Sequence, residues 1–331
     1  MDQMAQHRPT VSIGLPVYNG ENYLAKTIRS ILGQTYTDFE LIICDNASTD
    51  GTQQICEEFA RSDPRVRYAR NERNLGAGPN YDLAFHRATG TYFKWAAHDD
   101  MLAPQYLEKT VAVLDANPDV VMCSTGVTEI GPNDEVVRSY TNYLPGCDAP
   151  RPAQRLAAVT HYRHQCEDFF GLYRREALAG SDLHGMYSGS DRVLVAEIAL
   201  RGRIVLIDEP LFLHREHNQR YTRAVLLSNR KTAIGWQDTS GKTKAVAAKL
   251  FHITVYQNLW RVVQKNISDP GEKRACEIEL MRWWIKDGHI VDTIRDTLQN
   301  FAPNVYLVIQ RIKRAMFGEG TARPGDLTPT G

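Results

Sequence analysis

Between Val11 and Val127 short β-rich apolar runs alternate with amphipathic helical stretches, and no other feature restricts the fold of this chain as strongly. Strands separated by helices pair in parallel, because each helix carries the chain back across one face of the sheet. Five strands are expected, at Val11–Val17, Phe39–Cys44, Arg65–Ala69, Thr91–Ala97 and Val120–Thr125. Helices are expected between them at Glu21–Gln34, Asp50–Arg61, Pro79–Ala88 and Pro104–Ala116, each with apolar residues three or four apart. Ser48, Thr49 and Asp50 are N-cap types, and Pro104 suits a first helical position. The predicted class is α/β with a mostly parallel sheet, and such sheets bind ligands in the crevice beyond the carboxyl ends of their strands.

Chemistry is therefore sought where strands end. The segment TYFKWAAHDDML closes an apolar strand with His98-Asp99-Asp100, and two carboxylates at a strand exit can hold a divalent cation. Acidic pairs there also serve as turn formers and as partners of the next helix's N-terminus. The first strand leaves through Pro16-Val17-Tyr18-Asn19, which would border the same crevice or form an ordinary turn. LIICDNASTDGT ends its strand on Asp45, an acceptor suited to a nucleobase imide or a ribose hydroxyl. Asn74-Leu75-Gly76-Ala77-Gly78 precedes the third helix with residues small enough for close backbone approach. Neither G-x-G-x-x-G after the first strand nor G-x-x-x-x-G-K-[ST] anywhere is present, which removes most support for a dinucleotide dehydrogenase or a P-loop fold.

Lys plus Arg and Asp plus Glu both number 39, so no global field draws the chain to nucleic acid, and no nucleic-acid partner is expected. Six cysteines without C-x-x-C spacing read as reduced thiols of a cytoplasmic protein. The N-terminus lacks the order of a secretory signal, and no apolar run approaches membrane-spanning length. From about Gly131 to Arg163 the pattern loosens into a loop-rich region. Order is expected again over Asp168–Tyr173, a helix over Asp191–Leu200 and a strand over Ile204–Ile207. Helices follow at Lys244–Val263, Glu272–Ile285 and Val291–Leu298. The expected organisation is an α/β domain over 8–223, a helical appendage over 224–318 and a disordered tail over 319–331.

PVYNGENYLAKTIRSILGQTYTDFELIICDNASTDGT followed by NLGAGPNYDLAFHRATGTYFKWAAHDD resembles the family 2 glycosyltransferases, over roughly Thr10 to Arg223. The resemblance implies a GT-A fold, a nucleotide-diphosphate-sugar donor, a divalent cation (Mn²⁺ or Mg²⁺) and inversion by a side-chain base. It implies that Pro16, Tyr18, Asn19, Asp45 and Asn74 line the nucleoside side, with Asp99 and Asp100 at the metal and diphosphate. SGSDRVLVAEIALRG resembles the acceptor-side acidic segment, which makes Asp191 the general base. LHREHNQRY resembles the motif after the last core strand, with His217 as a metal ligand and Arg215 as a phosphate contact.

Ala97 stands where many members carry a further acid, and Ser190 where Glu is frequent. Metal binding then falls to Asp99, His217 and the donor's phosphates. The acceptor expected is a cell-surface polysaccharide or glycolipid precursor, saccharide or lipid-linked. Asn304–Phe317 mixes apolar residues with Arg311, Lys313 and Arg314, which suits either a peripheral contact with the inner face of the cell membrane or a packed helix with a solvated basic face. Two other readings are a non-catalytic nucleotide-sugar-binding or scaffolding protein and a sugar nucleotidyltransferase. The last requires a basic loop after the first strand, and Tyr18-Asn19-Gly20-Glu21 has no basic residue.

Overall fold

Every residue of VSIGLPV is buried, as in a parallel strand covered on both faces, and this run is the centre of the sheet. The computed structural model describes residues 8–142, 144–162, 166–218, 220, 251–286 and 289–317. Its strands are β1 (Val11–Val17), β2 (Phe39–Asp45), β3 (Val66–Arg70), β4 (Tyr92–Trp95), β5 (Met101–Leu102), β6 (Val120–Ile130), β7 (Val136–Tyr140), β8 (Leu172–Arg174) and β9 (Arg203–Arg215). They form one sheet in the order β3-β2-β1-β4-β8-β6-β9-β5, with β7 paired to β6. The first four run parallel, β6 is parallel to β9, and the β4–β8, β8–β6, β9–β5 and β6–β7 pairs are antiparallel.

The helices are α1 (Leu24–Leu32), α2 (Thr52–Ser62), α3 (Ala77–His86), α4 (Tyr106–Ala116), α5 (Pro152–His161), α6 (Arg175–Ala179) and α7 (Ser190–Arg201). After them come α8 (Phe251–Asn266), α9 (Pro270–Lys286), α10 (His289–Phe301) and α11 (Pro303–Phe317). Alternation along β2 separates two cores. Leu41 and Ile43 join Ile28 of α1 and Leu107 of α4 on one face, while Ile42 and Cys44 join Phe85 of α3, Leu156 of α5 and Leu194 of α7 on the other. Val255 and Leu259 of α8 and Leu280 of α9 belong to that second core, so these two helices pack onto the helical layer of the sheet. Helices α10 and α11 leave Val291, Ile294, Val305, Leu307 and Val308 exposed.

The parallel β1–β4 arrangement and its helices agree with the sequence reading, with ends moved by up to three residues. The helix expected from Pro104 starts at Tyr106, and the one expected from Asp50 starts at Thr52. Asp50 still satisfies that helix, since its Oδ1 accepts the Thr52 N–H at 3.0 Å. Three expectations need correction. The strand from Val120 continues past Thr125 to Ile130, because β9 and β7 pair with its far half. The stretch read as loop-rich holds β7, an exposed strand at the sheet margin with no apolar alternation, and α5, opened by Pro152. The strand over Ile204–Ile207 extends to Arg215, which carries its last residues to the acidic segment.

All six cysteines are free and buried. No helix among the described residues is long and apolar enough to cross a membrane. The boundary expected at 223/224, the first residues of the helix expected from Lys244 and the tail expected over 319–331 lie outside the described residues.

Candidate active site

Because β1 to β4 are parallel, the segments after Val17, Asp45, Arg70 and Trp95 emerge at one edge of the sheet. The first is a tight turn. Asn19 has φ +51, its N–H donates to Ser48 Oγ at 2.9 Å, and its Oδ1 accepts the Thr49 N–H at 2.8 Å. Asn19 thus spends its amide oxygen on holding the loop after β2. A Cβ on Gly20 would come within 2.7 Å of the His98 ring, so glycine lets this turn pass under the acidic segment. Tyr18 is 44% exposed at the crevice mouth, whereas Pro16 is buried within β1 in register with Cys44.

Asp45, the last residue of β2, is fully buried. Its Oδ1 accepts the Ser48 N–H at 2.9 Å, its Oδ2 accepts the Tyr68 hydroxyl at 2.9 Å, and Arg70 Nε lies 3.3 Å from Oδ2. Burial and the Asp45 carboxylate push the Tyr68 phenol up. Asn74 Oδ1 accepts from Asn46 Nδ2 at 2.9 Å and from the Gly76 N–H at 2.8 Å. Asn46 also takes the Leu75 N–H at 2.9 Å, so it organises the loop that presents Asn74. Asn46, Tyr68 and Arg70 escaped the sequence reading. Their signal was the polar pair Asp45-Asn46 closing an apolar strand, together with the parallel register that sets Arg70 beside Asp45.

The acidic segment after β4 divides its labour. Asp99 Oδ2 lies 2.9 Å from His217 Nε2. Burial opposes ionisation of Asp99, yet the neighbouring His98, His217 and Arg220 hold its carboxyl well below the usual carboxylate range. Asp100 is turned to structural use, its Oδ1 accepting the Arg215 N–H at 2.9 Å and lying 3.3 Å from His214 Nδ1. Against the cost of burial, Asp100 and Glu216 lift the His214 imidazole to about 10. With Oδ1 committed to the Arg215 N–H and facing His214, Oδ2 is the oxygen that Asp100 can offer a metal.

Arg215 also departs from its expected role. It is fully buried, with Nε donating to the Asp99 carbonyl at 2.8 Å, Nη1 to the Gly131 carbonyl at 2.9 Å, Nη1 lying 2.6 Å from Asp134 Oδ1, and its guanidinium over the Tyr23 ring at 4.6 Å. These contacts clamp the acidic segment to the end of β9 and leave a phosphate no approach to the fork. Asp134 is 40% exposed, so the loss falls chiefly on the buried Asp99 and Gly131 carbonyls, each costing about 1–3 kcal/mol when left unsatisfied. Arg215→Ala is therefore expected to lose stability of that order in urea unfolding, and Lys, lacking the fork, not to restore it. A variant of undiminished stability that loses only nucleotide affinity would reinstate the phosphate contact.

Asp191 stands in the first turn of α7, partly buried, after Gly189 at φ +85. The Ser190 hydroxyl lies 3.4 Å from His184 Nδ1, and the His184 N–H donates to Asp82 Oδ1 at 2.9 Å. Burial raises the Asp82 carboxyl to about 7. Tyr81 stacks on His184 with ring centroids 4.9 Å apart. Its phenol is pushed up by burial and then by Asp99, Asp100 and Asp191 together. Tyr81 thus stands within the field of both the acid after β4 and the acid opening α7, a role no sequence signal announced. His217, the other ring at this edge, packs on Tyr23 at 4.8 Å.

Residues 12–180, more than half of the chain, match the profile described as glycosyl transferase family 2. The chain belongs to glycosyl transferase family 2. Within this family it is similar to the putative glycosyltransferase EpsE of Bacillus subtilis, 38% identical over 120 residues that make up 36% of this chain and 43% of EpsE. It is also similar to the putative teichuronic acid biosynthesis glycosyltransferase TuaG of the same species, 36% identical over 106 residues, 32% of this chain and 42% of TuaG. Chondroitin synthase of Escherichia coli is 39% identical over 100 residues, 30% of this chain and 14% of the synthase. The chain therefore matches less than half the length of these relatives. In three dimensions it resembles S. aureus TarS 1-349 in complex with UDP-GlcNAc, with a TM-score of 0.60 at 15% identity over 84% of this chain and 73% of that one. That likeness is one of fold, a GT-A type curled sheet with helices on both faces.

Proposed function

We propose that this family 2 chain is an inverting glycosyltransferase that moves a sugar from a nucleotide-diphosphate-sugar donor to a hydroxyl of a cell-surface polysaccharide or glycolipid precursor. The observation that carries this reading is the emergence of β1, β2, β3 and β4 at one edge of the sheet, where the buried Asp45 and the Asp99–His217 pair, 2.9 Å apart, stand at their exits. The His184 ring, its centroid 4.9 Å from that of Tyr81 and its Nδ1 3.4 Å from the Ser190 hydroxyl, supports an acceptor-side acid at the start of α7 beside α3. Asp191 would take the acceptor's proton as its oxygen attacks the anomeric carbon on the face opposite the leaving group. Tyr18 at the mouth, Asn74 and the covered Asp45 would border the nucleoside, and a base reaching Asp45 would have to displace the Tyr68 hydroxyl.

The chain's residues fit a divalent cation, Mn²⁺ or Mg²⁺, at Asp99 Oδ2 and His217 Nε2, an oxygen and an imidazole nitrogen 2.9 Å apart at the strand edge. When bound, the cation would neutralise charge developing on the departing diphosphate. Two protein ligands leave the rest of the coordination shell to phosphate and water, the habit of Mg²⁺-type sites in phosphate enzymes. The TarS complex with UDP-GlcNAc supports a nucleotide-sugar donor, and the names of EpsE, TuaG and chondroitin synthase support a polysaccharide setting.

The experiment is a thermal-shift series with nucleoside diphosphates and their sugars, each with and without Mn²⁺ or Mg²⁺. A ligand at 100 times its Kd stabilises by about 2.7 kcal/mol, so one base class should raise Tm in a metal-dependent manner. If no nucleotide moves Tm under any condition, the donor assignment is wrong. The exposed Val305, Leu307, Val308 and Ile312 and the basic Arg311 support a peripheral contact of α11 with the inner, cytoplasmic face of a membrane. Co-sedimentation with anionic vesicles should fall when Leu307 and Val308 become Asp, and equal binding by that variant would refute the contact.

A further inference from the structure

Apart from the residues of the strand edge, three metal-ligating side chains meet where α10 packs on α8. His252 of α8 and His289 and Asp292 of α10 each offer one ligand atom, and these atoms lie within 4.8 Å of one another. His289 and Asp292 are three residues apart and so share one face of their helix. Asp292 uses Oδ1 for Arg295 at 2.8 Å and turns Oδ2 toward His252 Nε2 at 3.8 Å. The two imidazoles lie side by side, centroids 5.2 Å apart and inclined by 31°. Trp283 and Trp284 of α9 stand 4.3 and 6.5 Å from the His289 ring and wall the group with indoles.

Two imidazoles and one carboxylate form the donor set of a borderline transition ion, with a fourth position for water. Mg²⁺ and Ca²⁺, which take oxygen ligands, are poorly matched to it. Around a tetrahedral Zn²⁺ with bonds of about 2.1 Å, ligand atoms stand roughly 3.4 Å apart. The three ligand atoms, all within 4.8 Å of one another, would have to close by up to about 1.4 Å to reach that spacing.

We infer that His252, His289 and Asp292 form a second metal site, for Zn²⁺ or a like ion, that clasps α10 to α8. Through α10 the clasp anchors the exposed apolar residues of α10 and α11. Through α8 it borders the acceptor side, because Phe251, next to His252, lies 3.0 Å from where a Cβ on Gly189 would stand, two residues before Asp191. The clasp does not depend on the transferase reading, since none of its ligands is shared with Asp99, His217 or Asp191.

The test uses tag-free, metal-stripped full-length protein carrying Asp99→Asn, so that the strand-edge acid does not compete. Zn²⁺ is titrated against a chromophoric chelator, Tm is read with and without Zn²⁺, and Co²⁺ is added in place of Zn²⁺ for its visible absorption. One equivalent of Zn²⁺ per chain, a higher Tm and the intense band of tetrahedral Co²⁺ are expected. His252→Ala and His289→Ala should each weaken binding by roughly 100-fold or more and abolish the Tm rise. Circular dichroism confirms their folding, and His252→Gln and His289→Gln replace any alanine variant that fails to fold. Absence of stoichiometric Zn²⁺ and of the Co²⁺ band in the parent, or undiminished affinity in folded His252 and His289 variants, would overturn the site.

Discussion

Asp191→Asn is expected to lower kcat for sugar transfer by roughly 10²–10⁴-fold, the usual contribution of a positioned general base. The amide keeps the size and the place of the side chain in the first turn of α7 but has no basic oxygen. Donor affinity should change little, because the proposed donor contacts arise from the loops after β1, β2 and β4, while Asp191 stands in the first turn of α7. A selective loss of kcat identifies a group that acts in the transition state. Kd for the donor is read by titration of the folded variant and kcat by release of nucleoside diphosphate. Equal losses in affinity and turnover would point instead to a disturbed crevice, and unchanged turnover would remove Asp191 from the mechanism.

Asp99→Asn should also be strongly damaging, for a different reason. The carboxylate is held ionised despite burial by His98, His217 and Arg220, so its charge is an investment made by three neighbours. Removing it would take away the proposed metal ligand and leave the His217 imidazole without the partner 2.9 Å away. Electrostatic groups of this kind are worth about 3 kcal/mol or more, so transfer should fall by roughly 10²–10³-fold, with metal-dependent donor binding lost as well. His217→Ala should do nearly the same. The double variant should be scarcely worse than either single one, since two ligands of one ion act as a unit. Additive losses would show that the two residues do not share a ligand.

How far the sequence reached differs between fold and site. The β1–β4 half was readable because local signals agreed: apolar runs buried on both faces, amphipathic helices between them and polar residues at each strand exit. Beyond Gly131 those signals part company. β7 is VVRSY, an exposed strand without alternation, and β5 is two residues that pair only because β9 runs far enough to meet them. At the site, Asp99 and Asp45 could be singled out by their positions at strand exits, and His217 by the resemblance of LHREHNQRY to a family motif. The partners that fix their condition could not, for they come from distant segments: Tyr68 against Asp45, His214 against Asp100, Asp134 against Arg215. Arg215 shows the limit clearly. A motif names the residue, but whether its guanidinium faces a phosphate or three protein acceptors is decided by the loop that carries Gly131 and Asp134.

The central claim, that Asp99 and Asp191 serve one crevice with an ion at its donor side, is tested most directly by diffraction from crystals grown with Mn²⁺ and the nucleoside diphosphate that most raises Tm. Anomalous scattering should place Mn²⁺ between Asp99 Oδ2, His217 Nε2 and the diphosphate, with Asp191 facing the open end of the β-phosphate across Tyr81. Manganese bound away from Asp99, or a nucleotide seated outside the edge formed by β1, β2 and β4, would contradict it.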